Sequence, residues 1–154
     1  MSQKKNLVFT DVIYHYALWN IPLFGVSIAT MVHEYGHLLC TRLLGFNGYI
    51  RSARLAAVYY EAQPIGNQWI IFYISGGLLQ FTVFSLLSLR GRDQNQRIAA
   101  RMTAIIGLVE AITEPFKYYR LSGLGAVLGI LVALVYLATI TWIKVNNGDG
   151  FTIK

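Results

Sequence analysis

Residues 21–44 read IPLFGVSIATMVHEYGHLLCTRLL, apolar except for His33, Glu34, His37 and Arg42. Such a run is long enough to cross a bilayer core, which takes about 20 residues as a helix. Ionisable groups at membrane depth are costly, and by default they mark a functional interior. On a helix the four-residue spacing sets His33 and His37 on one face, one turn apart, where both imidazoles can grip one metal ion. Glu34 follows the first histidine, and its carboxylate can take a proton from a metal-activated water, the nucleophile of a hydrolysis. This is the His-Glu-x-x-His arrangement. Gly36 adds a point where a substrate or a neighbouring backbone can come close.

The rest of the chain reads as the setting for that helix. Hydrophobic residues make up 55% and charged residues 13% of 154, about half the charged share of a soluble domain. Trp69 to Leu89 and Leu121 to Ile143 are 21 and 23 residues without a charge, each enough to span. Ile98 to Phe116 is apolar except for Arg101, Glu110 and Glu114. The expected fold is an all-α integral membrane protein in a single domain. It has about four transmembrane helices, over residues 20–44, 69–89, 98–117 and 121–143. A short membrane-associated extended insertion occupies residues 45–68. There Tyr49–Leu55 and Val58–Tyr60 read as strands, with turn signals at Asn47-Gly48 and Pro64–Asn67. Leu7 to Trp19 is too short to span and reads as an interfacial helix.

Lys and Arg outnumber Asp and Glu by 13 to 7. The basic residues lie between apolar runs, as loops near anionic headgroups do, so the partner implied is membrane lipid and not nucleic acid. Four spans put both termini on one side, with Lys4, Lys5, Arg90, Arg92, Arg97, Arg101, Lys144 and Lys154. The other side has Arg42, Arg51, Arg54, Lys117 and Arg120. The excess places the termini of this multi-pass chain in the cytoplasm. The one cysteine, Cys40, allows no intrachain disulfide and reads as a packing residue. Met1 to Asn6 with the run after it carries no cleavage signal. Asp11 and His15 are four apart but read as a solvated pair. Gly125 and Gly129 match the small-xxx-small packing pattern, and Gly123 lies beside them.

The segment Met31-Val32-His33-Glu34-Tyr35-Gly36-His37-Leu38-Leu39, followed by Ile74-Ser75-Gly76-Gly77-Leu78-Leu79-Gln80, resembles the site-2 protease family of intramembrane zinc metalloproteases. The resemblance covers about residues 20 to 120. It implies zinc as cofactor, His33 and His37 as ligands and Glu34 as general base. It further implies a zinc-dependent endopeptidase whose substrate is a transmembrane or membrane-anchored polypeptide. The family's membrane-associated strands are thought to present substrate in extended form, which edge pairing would favour. A rival reading is a non-catalytic metalloprotease-like subunit that binds a partner helix. A metal transporter or metal chaperone is a further rival. A homo-oligomer or a partner membrane protein is compatible with either of the first two readings.

The family takes its third ligand from an Asp in an Asn/Pro-rich stretch ending in Asp-Gly, and the third span has no such stretch. Asp149-Gly150 has the dipeptide, but in the polar tail. Glu110 and Glu114 remain, four apart on one face. His37 lies eight residues before Gly45, and Glu110 lies eight before Tyr118. At about 1.5 Å per residue the two are at matched depth. That ranks Glu110 first, Glu114 second and Asp149 third, with the second glutamate free to orient a histidine or meet substrate.

Overall fold

The computed structural model describes residues 9–22, 26–53, 55–60 and 66–146. Among them the order is α1 (Phe9–Asn20), α2 (Ile28–Leu43), β1 (Gly48–Ala53), β2 (Leu55–Tyr60), α3 (Gln68–Arg90), α4 (Gln94–Tyr118) and α5 (Ser122–Asn146). The protein is thus mostly helical with one antiparallel hairpin, in which Gly48 pairs with Tyr60 and Ala53 with Leu55. Leu55 therefore opens the second strand instead of closing the first.

The expected first span is shorter than its sequence suggests. Ser27 caps α2, its hydroxyl accepting the Thr30 N–H at 3.0 Å, so the helix starts at Ile28 and not near residue 20. Its 16 residues rise about 24 Å, short of a hydrocarbon core of about 30 Å. The helix ends in a six-to-one turn, Phe46 N–H donating to Thr41 O at 2.9 Å, with Gly45 at φ 83° in the left-handed position that favours glycine. At the end of α4 the same closure recurs. Leu121 N–H reaches Phe116 O at 2.9 Å, and Arg120 takes the left-handed position at φ 57°.

Two helices, Gln68–Arg90 and the Ser122–Trp142 part of α5, are long and apolar enough to cross a membrane. Most of α5 faces outward, with Leu124, Val127, Ile130, Leu131, Leu134 and Val135 exposed. An exposed apolar face of this kind marks a surface that meets a membrane or another protein. The helix rests on α4 through Gly129, where a side chain would press on Val109 O and Thr113, and through Gly125, packed on Phe116. Gly123 faces open space, so the small-residue contact is made by the other two glycines.

The most extensive packing is between α3 and α4, followed by α2 against α3 and α5 against α4, and then by α1 against α4. Helix α1 is a packed element: Val12 and Trp19 sit in a core with Ala29 of α2, Phe84 of α3 and Ala99, Ala100 and Ala104 of α4. The small alanines let α1 approach α4. Asn20 then donates to the buried Thr103 hydroxyl at 2.8 Å, and Gln80 donates to Thr103 O at 3.3 Å. This closes one half of the bundle. The other half, residues 33–41 of α2, 69–77 of α3 and 107–118 of α4, carries His33, His37, Glu110 and Glu114.

Candidate metal centre

The centre is built around a stretch of bare backbone. Gly36 of α2 packs so tightly on Ser75 O and the Gly76 Cα that no methyl group fits. Gly77, a residue further on and turned about 100° around α3, packs equally tightly on Gly107 O and Ala111 of α4. The Gly76-Gly77 pair therefore admits a neighbouring helix on each of two sides. A side chain at Gly76 would overlap the Nε2 atoms of both His33 and His37. The histidines of α2 pass over this gap and meet the glutamates of α4.

His33 and His37 are both buried. Their Nε2 atoms are 3.1 Å apart. Oε2 of Glu114 lies 3.2 Å from Nε2 of His33 and 3.3 Å from Nε2 of His37. The three donors form a nearly equilateral triangle. Tetrahedral zinc, with bonds of about 2.0–2.1 Å, sets its donors about 3.3 Å apart, so the triangle has the dimensions of one face of such a site.

Hydrogen bonding shows that this cluster calls for a positive charge. His37 Nδ1 lies 2.8 Å from Phe72 O. A carbonyl can only accept, so Nδ1 carries the hydrogen and Nε2 of the neutral ring is a lone pair. That lone pair faces a carboxylate oxygen. Oε2 of Glu114 is itself buried and makes no hydrogen bond among the described residues. Two acceptors in contact need a positive charge between them, either a second proton on the imidazole or a metal ion. The rest of the shell is fixed: His37 stacks on the Phe72 ring at 4.7 Å, and Ser75 donates to the same Phe72 carbonyl at 2.6 Å. Lys117 holds the other oxygen of Glu114 at 3.3 Å.

Of the residues singled out in the sequence, His33, His37 and Glu114 come together as one possible metal site. Glu110 stands beside it, its Oε2 3.2 Å from Nδ1 of His33. Depth matching along the sequence ranks Glu110 first. In the structure Glu114 meets both histidines and Glu110 meets His33 alone; the two glutamates lie one turn apart on one face, a difference that a glutamate side chain spans. Glu34 is half-buried on the adjoining face of α2. Asp149 lies outside the described residues. Asp11 accepts from Asn95 at 3.3 Å and His15 packs against Tyr14 and Trp19, so the two face other partners. Cys40 is buried outside the cluster. The role of the Phe72 carbonyl had no signal in the sequence, because a backbone acceptor is carried by every residue type. An apolar cavity of about 320 Å³, lined by Gly36, Leu39, Cys40, Leu43, Ile71 and Leu78 among others, opens between α2 and α3, away from the glutamates.

No protein-family model matches this chain, and neither does any curated protein or solved structure.

Proposed function

We propose that this chain is a zinc-dependent intramembrane endopeptidase, with His33, His37 and Glu114 as metal ligands and Glu34 as general base. The observation that carries the reading is the buried triangle of donors at 3.1, 3.2 and 3.3 Å, two of them on the helix that also bears Glu34. Zinc held there supplies Lewis acidity, which activates water and polarises a peptide carbonyl. The chain's own residues do the rest. The two histidines present Nε2, the His37 ring fixed from behind by the Phe72 carbonyl. Glu114 supplies the anionic donor, one oxygen to the centre and the other to Lys117. Glu34, on the same turn as His33, accepts the proton of the attacking water and returns it to the leaving amine. The hairpin after α2 offers an edge on which an extended substrate strand can pair. The substrate is a transmembrane or membrane-anchored polypeptide, in keeping with the resemblance to site-2 proteases and with the lipid-facing surface of α5.

In this reading residues 20–44, of which α2 covers about 24 Å, form the first span, α3, α4 and α5 form the other three, and the termini are cytoplasmic. Helix α4 carries too many charges to pass as a simple span, but those nearest the centre, Glu110 and Glu114, are turned towards the histidines, which is how a membrane helix accommodates carboxylates.

The test is zinc content of the purified protein, followed by cleavage of a membrane-anchored reporter by wild type and Glu34→Gln. One zinc per chain in both proteins, with cleavage reduced by about 10²-fold or more in the variant, is the expected result. Zinc in both with no Glu34-dependent cleavage would replace the enzyme by the partner-binding subunit. Wild type without zinc, even when zinc is supplied, would remove the metal centre.

A further inference from the structure

We infer that Glu110 is a positioning residue: through His33 Nδ1 it fixes the ring so that Nε2 faces the donor triangle. This rests on the reading of the cluster as a metal centre and separates the roles of its two glutamates. His33 Nδ1 is fully buried and makes no aligned hydrogen bond among the described residues. The nearest acid is the Glu110 carboxylate, 3.2 Å away, close enough to accept its N–H after a small rotation. In the other histidine the corresponding bond is already made: His37 gives its Nδ1–H to Phe72 O at 2.8 Å. With the Glu110 bond made, both rings are held from behind, one by a carboxylate and one by a backbone carbonyl, and both turn Nε2 to the same point. A carboxylate on the far nitrogen orients a ligating imidazole and makes it more basic. The Glu110 side chain is 42% exposed, against 15% for Glu114. It therefore keeps much of its hydration, as suits a carboxylate that supports a ligand without being one.

The experiment measures zinc affinity in detergent micelles by competition with a chromophoric chelator, for wild type, Glu110→Ala, Glu110→Gln and Glu114→Ala. Glu110→Ala is expected to bind one zinc about 10–100-fold more weakly. X-ray absorption should find the same number of nitrogen and oxygen donors as in wild type. Glu110→Gln keeps an oxygen acceptor for the imidazole N–H and should recover most of the loss. Glu114→Ala should lose a donor. In nitrogen-15 spectra of the zinc-loaded protein, the His33 Nδ1–H should be slow to exchange in wild type and Glu110→Gln, and fast in Glu110→Ala. Equal affinity in wild type and Glu110→Ala would overturn the inference alone. Loss of a donor in both Glu110 variants would make Glu110 a ligand and overturn it as well. Wild type that takes up no zinc would overturn the metal centre and this inference together.

Discussion

Gly76 lies against Nε2 of His37 with no room for a side chain between them. Its neighbour Gly77 meets backbone atoms of α4 instead. The two glycines look equivalent in the sequence and are not equivalent in the fold.

Gly76→Ala and Gly77→Ala should therefore fail differently. A methyl group at Gly76 pushes on two imidazoles, which can turn away. The helices should survive while zinc affinity falls at least about tenfold, since misplaced ligands no longer converge. At Gly77 the methyl group meets the α4 backbone, which cannot move alone, and overpacking of this kind costs about 1–3 kcal/mol or more. Thermal unfolding in detergent beside zinc titration separates the two. Identical behaviour of the variants would contradict the division of labour.

Lys117 holds the outer oxygen of Glu114, but its side chain is 55% exposed. Exposed ion pairs contribute about 0–1 kcal/mol. Lys117→Met should thus weaken zinc binding by less than about fivefold, a factor that corresponds to about 1 kcal/mol. Glu114→Ala should abolish stoichiometric binding. A Lys117 variant as poor as the Glu114 variant would mean that the lysine fixes the carboxylate and does more than screen it.

Four spans predict a definite pattern of accessibility. In a Cys40→Ser background, single cysteines placed at Lys4, Arg92 and Lys154 should react with an impermeant thiol reagent from one side of sealed vesicles. One at Asn47, before the hairpin, should react from the other side. Labelling of Arg92 and Asn47 positions from the same side would show that α3 does not cross.

Much of the centre was legible because helical spacing alone aligns His33 with His37 and Glu110 with Glu114. The choice between the glutamates was not. Counting residues from a helix end gives depth, but says nothing of tilt or of how far a side chain reaches. The start of α2 was hidden in a continuous apolar run, where the Ser27 cap is only one hydroxyl among hydrophobic residues. Helix α1 was recognisable as a helix, yet its seat on α4 depends on Ala99, Ala100 and Ala104, whose small size leaves no mark in an apolar pattern. The Ser-Gly-Gly element was visible as a motif, and its reason emerges only when the atoms around it are seen.

The Gly76-Gly77 pair has a consequence for how such a chain can change. Each residue added to a helix rotates everything beyond it by about 100°. One extra residue in α3 between Phe72 and Gly76 would leave every histidine and glutamate in place in the sequence. It would nevertheless turn a side chain into the gap and swing the Phe72 carbonyl out of phase with it. The phase of a helix that supplies no side-chain ligand thus decides whether the donors on its two neighbours can meet, and the two residues with the least chemistry of their own are among the hardest to exchange.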